Sequence, residues 1–545
     1  MGHGGGAKFG KAAGGTPSHP GGSAAPPIDP RFFPGFSYLL GLPPEGQRSQ
    51  FGADLSKARP ILEALHSLLP IGRSDDNPAI PSGYTYLLQL IAHDLVETTV
   101  PLWVAADAGI PSRNMRGATL ELDTLYGGGP TVCPIAFEPA GSVPDDRSQL
   151  RLGRIAEETG SAPPGGACPF RDLARLKLAA APPAPSNLDQ VSQVYIADPR
   201  NDDNTIISQL TVLFSILHNA IARRLGSLPP QAQFAHARLA VLQMYYAVIR
   251  NDLLPRLLHP KVRDILHERP LSSKAWLWHG KEVPLEFTHG AFRVGHAMVR
   301  PFYVFNDTST LPLSGVIGGP TIGHLDRDPL PQNWILRWSR FFELSGNPNY
   351  SLKLAARQRV PIDGGGLLPA IAANTPGQLG VRDWLSSAAA RLWRLDALIG
   401  AVGQNYAGLN LLGSDGISHW LAGLLQTTPG MADAKALVRQ NLDLLTSDLP
   451  LPLYMLLESQ LDPAIAGRHL GPLGSVLIGE VVYRRLAEGE QTLQPFIPAS
   501  QHAIGAADWN RIDAVRTMPA LVRLTEDWGG LADCPDMPFI GASIQ

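Results

Sequence analysis

From about residue 31 onward the apolar positions recur at intervals of three and four, the period of helices packed against a core. That spacing predicts helices over 52–68, 82–100, 205–225, 237–258, 332–345, 380–402, 416–426, 431–446 and 472–487. The stretch TIISQLTVLFSILHNAIARRL (205–225) ends on a basic turn, which suits the negative end of a helix dipole. Strand signals are weak and short, and no internal repeat is visible. A Pro/Gly-rich region over about 127–187 reads as long surface loops laid on a core, and residues 1–30 as a flexible Gly/Pro-rich tail. Within that tail Gly5 to Lys11 nearly spells a phosphate-binding loop, but Ala12 stands where Ser or Thr must hold magnesium and no strand precedes it. The predicted architecture is mainly α: one large domain over 31–545 with long irregular loops.

Composition agrees. Of 545 residues 44% are hydrophobic and 17% charged, an ordinary globular balance with a sizeable core. A prior of about one domain per 150 residues would give three or four, but one helical pattern runs through the whole chain. The 50 prolines and 55 glycines supply irregular connections. Net charge is -3 with no basic run, so nucleic acid is not an expected partner. No uniformly apolar run reaches the ~18–20 residues of a membrane span. Cys133, Cys168 and Cys534 are odd in number and far apart, so they support no disulfide framework, and no C-x-x-C motif is present. The first residues lack the apolar core of a signal peptide. The expected setting is cytoplasmic, with signal-less secretion as the alternative; oligomeric state is not legible.

Four polar insertions interrupt the apolar helices. In YLLQLIAHDLVETT (86–99), Gln89 and His93 lie four apart and share a helical face, while Asp94 points elsewhere. A core histidine and a buried ion pair would explain them equally simply. In LELDTLYGGGP (120–130), Glu121 and Asp123 alternate with leucines before a glycine turn. Carboxylates in that pattern suit a hard cation such as calcium, with Asp94 a third ligand if the loop folds back, and a solvated loop explains them as well. In YIADPRNDDNTIISQL (195–210), Asp202 and Asp203 suit the N-terminus of the following helix, which leaves Arg200 unexplained. In THGAFRVGHAMVRPF (288–302), His296 follows Gly295, which permits close approach, and Arg293 and Arg300 flank it. A histidine facing a flat cofactor, with cations for its carboxylates, is a haem arrangement.

Together, and in this order, these segments resemble the animal-type haem peroxidase superfamily, which includes myeloperoxidase and the cyclooxygenases, and most of all its bacterial members. The matching residues are Gln89 with His93-Asp94, the loop LELDTLYGGGP, DPRNDDN followed by His218-Asn219, and AFRVGH ending in His296. GLNLLGSDGI with Asn410 and the helical stretch 451–486 agree as well, so the likeness spans about 31–500. The resemblance implies a mostly helical fold around a buried haem b. His296 would be the proximal iron ligand, supported by Asn410, with Arg293 on a haem propionate. On the other face His93 would act as base and then acid toward hydrogen peroxide, Arg200 would stabilise developing charge, and Gln89 would hold a water or halide. Asp94, Glu121, Asp123 and the carbonyl of Thr119 would bind calcium.

The departures carry information. Family members that esterify their haem use an Asp and a Glu; those positions are Ala92 and Asp203 here. The haem is expected to be non-covalent, or held by at most one ester through Asp203. Gly413 replaces a propionate-binding arginine, and Glu121 replaces a more usual aspartate. The expected activity is reduction of hydrogen peroxide with oxidation of a small organic or halide donor. The alternative is a cyclooxygenase-like dioxygenase acting on a fatty acid. That branch carries a tyrosine three residues before the proximal histidine, where this chain has Arg293.

Overall fold

The structure is a computed structural model that describes residues 34–70, 75–100, 112–117, 119–139, 147–156, 169–177, 192–317, 329–357, 379–532, 534 and 539–540. The expected tail over 1–30, much of the loop region 127–187 and Cys168 lie outside these residues. The principal helices are α1 (Leu55–Leu68), α2 (Gly83–Leu95), α3 (Thr205–Arg224), α4 (Pro230–Val248), α5 (Leu379–Ala389), α6 (Leu395–Asn405), α7 (Ser414–Thr427), α8 (Leu451–Leu461), α9 (Pro472–Leu493) and α10 (Met518–Trp528). The described strands form only two-stranded pairs, such as Asp76–Pro81 antiparallel to Tyr350–Leu352. The mainly α architecture read from the spacing is the one observed.

Caps define the helix starts. Asp54 accepts from the backbone N–H of Ser56 and Lys57 to begin α1, and Asn204 accepts from Ile207 at 2.9 Å to begin α3. α2 starts differently: Ser82 and Gly83 donate to the carbonyls of Asn349 and Phe341. A Cβ on Gly83 would sit 2.5 Å from both the Phe341 carbonyl and the Phe342 ring, so only glycine lets the helix start this close to that segment. α2 ends at Leu95 rather than running to 100, because Val96 turns extended and a β-branched stretch leads into Pro101.

Other expectations change as well, among them the helix predicted over 431–446, which is two, Ala432–Gln440 and Leu442–Ser447. The helix predicted over 332–345 is a pair of short 3₁₀ turns, Gln332–Trp334 and Trp338–Arg340. Its apolar period reflects aromatic packing, and the N–H groups of Trp338 and Ser339 are spent on the carbonyls of Phe539 and Ile540. The helix predicted over 380–402 is broken into α5 and α6 at Arg391, whose φ of 47° lies in the left-handed region.

α3 is buried almost throughout and packs against α2, α4 and α10. It is long and apolar enough to cross a membrane, but the whole of its apolar window is buried inside the protein, the property of a core helix. The His218-Asn219 pair on α3 holds the loop region: Asn219 clamps both backbone groups of Leu150, and His218 bridges Tyr126 and the Ser148 carbonyl. Contrary to the sequence reading, Cys534 is disulfide-bonded, while Cys133 is free.

Two neighbours of α2 matter for function. One is α3. The other is the segment 286–298, a wide turn (Glu286–Gly290) followed by a 3₁₀ stretch (Ala291–Met298) that carries His296. α5 packs on the wide turn and α8 on the 3₁₀ stretch.

Candidate functional site

The site is built on the buried face of α2. His93 is fully buried, and its Nδ1 lies 2.8 Å from the Asn201 side-chain oxygen. The Asn201 amide nitrogen donates to the Thr124 carbonyl at 3.1 Å, which turns the amide oxygen toward His93. Nδ1 therefore carries the proton and Nε2 presents its lone pair. That Nε2 is buried with no hydrogen-bond partner in the protein. Burial first, and then the charge of Arg200, push the His93 pKa down to about 4. The ring is a neutral base at pH 7.

One turn earlier on the same face, the Gln89 oxygen accepts from Asn204 at 3.1 Å. Its Nε2 is also buried without a partner. A donor and an acceptor, each desolvated and unmet, are costly unless something else satisfies them. The two unmet atoms mark the place where a small polar molecule would be bound.

DPRNDDN is the bracket that holds this pair. Asp198 accepts from the Arg200 backbone and side chain and from Arg116 at 2.5 Å, and these cations hold its carboxyl well below the usual range. Arg116 and Arg200 both donate onward to the His93 carbonyl, at 3.1 and 3.0 Å. Arg200 also donates to the Val96 carbonyl at 2.6 Å. Four of its five N–H groups are thus committed to Asp198 and to the end of α2. Arg200 pins the end of α2 at His93, and its charge lowers the basicity of the ring. Asp202 takes a two-pronged contact from Arg175 at 2.5 and 2.8 Å. Asp203 is largely buried, and burial followed by the charge of Asp198 raises its pKa to about 7. Asn201 and Asn204 went unassigned in the sequence reading, although both lie inside a motif it had singled out.

On the opposing segment His296 is buried, and its Nδ1 lies 2.7 Å from the Asp383 carboxylate. Asp383 is on α5 and fully buried, and its other oxygen accepts from Arg293 at 3.0 Å. One expectation is corrected here. Asn410 does not support His296: it is exposed in the link between α6 and α7, and the ring nitrogen it would have bonded is taken by Asp383. Arg293 donates to Asp383 through one N–H, while its Nε is buried without a hydrogen-bond partner. Asp383 was missed because nothing in a helix reading GVRDWLSSAAA marks one aspartate as the partner of a histidine 87 positions away. Arg300 points elsewhere, to Asp76. A Cβ on Gly295 would meet nothing within 4 Å, so open space lies beside His296.

The loop expected to bind calcium folds back onto α2 as anticipated, and two of the expected carboxylates, Asp94 and Glu121, are hydrogen-bonded within the protein. Asp94 caps the short helix Asp123–Tyr126, accepting from the N–H groups of Leu122 and Asp123 at 3.0 and 2.8 Å. Glu121 is bound by the Thr119 hydroxyl and by Arg238, and Asp123 is half-buried. Among the described residues no three His, Cys, Asp or Glu side chains gather to hold a metal ion.

Haem does fit. His296 has one ring nitrogen fixed by a carboxylate and the other without a hydrogen bond among the described residues. Open space flanks it at Gly295, and the packed neighbour α2 presents the unmet Gln89 and His93 nitrogens. That is the donor set of a histidine-ligated haem with a proton-transfer site on the other face.

Residues 166–322 match the animal haem peroxidase family; the match covers Arg200 and His296 but not His93. Peroxidase A from Dictyostelium discoideum has a similar fold, with a TM-score of 0.54 at 15% identity over 93% of this chain and 94% of that one. Fatty acid alpha-dioxygenase from Arabidopsis thaliana gives 0.53 at 12% identity over 87% and 76%. The Oryza sativa alpha-dioxygenase gives 0.52 at 12% identity over 89% and 81%. No curated protein matches the chain in sequence. The family match covers residues 166–322 only, and the solved structures, at 12–15% identity, share the fold of the chain.

Proposed function

We propose that the chain is a haem-dependent peroxidase that reduces hydrogen peroxide and oxidises a small organic or halide donor. The observation that carries this reading is His93: a buried neutral imidazole whose Nε2 lone pair has no partner, one turn from the unmet Gln89 amide. Haem binding alone needs neither group. His296 would hold haem b, which would supply the redox chemistry for cleaving the O–O bond. The rest falls to the protein. Gln89 donates to peroxide and positions it. His93 Nε2 would take a proton from one peroxide oxygen and return it to the other, so that water leaves. Asn201 keeps Nδ1 protonated so that Nε2 is always the acceptor. The bracket of Asp198, Arg116 and Arg200 keeps the ring from moving with its load.

Asp203 is the one carboxyl in this motif with no cation bound to it, which supports at most one haem ester through that residue.

A second reading, a fatty-acid dioxygenase, draws support from the two alpha-dioxygenases of similar fold. Arg293 in place of tyrosine favours the peroxidase. The two are separated by mixing holoprotein with peroxide and a phenolic donor, and separately with oxygen and a long-chain fatty acid. Donor oxidation without oxygen uptake is expected. Oxygen uptake with the fatty acid and no peroxide turnover would reverse the assignment. His296→Ala should lose haem or its normal absorption spectrum.

A further inference from the structure

We propose that Asp383 is the anionic partner that positions the haem-binding histidine and sets its basicity, and that Arg293 moderates this effect from the far side of the same carboxylate. The inference rests on the reading of His296 as the axial ligand.

The geometry is a chain of three, with Asp383 and His296 buried and Arg293 partly exposed. Arg293 NH1 donates to one Asp383 oxygen at 3.0 Å, and the other accepts from His296 Nδ1 at 2.7 Å. Asp383 is fully buried, and the described residues around it on α5 are almost all apolar or small: Val381, Trp384, Leu385, Ser386 and Ser387. A carboxylate in such surroundings is held in place by its donors, since its charge has no water to turn to. With Nδ1–H given to a carboxylate, the imidazole has a single tautomer and its Nε2 is made a stronger donor to iron than a neutral amide partner would make it. A stronger axial donor favours ferric over ferrous iron. Arg293 draws charge from the same carboxylate, so the strength of the push depends on both residues. This also explains why the surface-exposed Asn410 is not needed for the role.

The test uses the full-length holoprotein. Asp383→Asn keeps the shape and a hydrogen-bond acceptor but removes the charge. Two readouts are followed beside haem content: the ferric/ferrous midpoint potential and the iron–histidine stretching band of the ferrous protein in resonance Raman. Losing the partner of a metal-bound histidine typically changes affinity or activity ~10–100-fold. A change of that size in the ferric-over-ferrous preference is a rise of about 59–118 mV for one electron. The iron–histidine band should move to lower frequency. Arg293→Gln leaves the carboxylate and removes its cation, so its band should move to higher frequency. Opposite movements are what an electronic role requires; a merely structural one would weaken the bond in both variants. If Asp383→Asn fails to fold, Arg293→Gln alone decides: an unmoved or lowered band overturns the inference. An unmoved band in Asp383→Asn, with a potential within about threefold of the parent (~28 mV), overturns it too. These failures are distinct from failure of the underlying reading, which would appear as a parent protein with no haem absorption band.

Discussion

The sharpest consequence of the site is a pH profile. Replacing His93 with alanine should slow peroxide activation by ~10²–10⁴-fold, the usual loss for a positioned acid–base group, or about 3–5 kcal/mol on the barrier. The structure adds the shape of the pH dependence. Burial and the Arg200 charge push His93 down to about 4. A histidine with a depressed pKa keeps its neutral, proton-accepting form through neutral pH and loses it only as pH falls through about 4. The rate of peroxide activation should therefore be flat from neutrality down to about pH 5 and near a tenth of its plateau at pH 3. The assay is stopped-flow absorption of holoprotein against peroxide from pH 3 to 8. Far-ultraviolet circular dichroism at each pH is the control, because His66, His93 and His218 are all depressed to about 4 by burial. Each favours the unfolded chain as pH falls from 6.5 toward 4, so acid costs stability in that same window. A midpoint near 6.5, with the fold intact, would mean that His93 is hydrated and not in the environment described. A His93→Ala variant as fast as the parent would remove it from the mechanism.

Asp198→Ala leaves Arg116 and Arg200 without their shared buried anion and should cost about 3–5 kcal/mol, read as a lowered midpoint in denaturant unfolding; a loss under 1 kcal/mol would mean that the bracket is dispensable. Gly83→Ala should cost ~1–3 kcal/mol by overpacking against Phe341 and Phe342, and an unchanged Tm would show that α2 can shift freely. Exhaustive acid–acetone extraction should release the haem; haem that stays on the parent chain but leaves Asp203→Ala would locate an ester at Asp203.

Much of this was legible in the sequence, for reasons that differ by residue. Long apolar periods located α1, α3, α4 and α9 because those helices have one dominant buried face or are buried all round. The same signal misled over 332–345, where tryptophans and phenylalanines stack across turns rather than along a helix. Gln89, His93 and Arg200 stood out because polar groups inside apolar segments are costly and call for a reason. Their partners were harder to see. Asn201 and Asn204 lie in a motif crowded with polar residues, and only the fold shows which of them meets α2. Asp383 left no trace in the sequence, since its role depends on α5 packing against the segment that carries His296. The carboxylates of the 119–123 loop were read for their type. Their type alone does not show that Arg238 and the Thr119 hydroxyl take Glu121, or that the loop's own N–H groups take Asp94.

The central claim is that His93 and His296 face a common haem and that peroxide reacts there. The most direct measurement is the absorption spectrum of the purified holoprotein before and after one equivalent of hydrogen peroxide, then after a phenolic donor. A Soret band that changes within seconds of peroxide and recovers with the donor is the predicted result. A band that peroxide only bleaches, or the absence of any band after reconstitution with haem, would contradict the account.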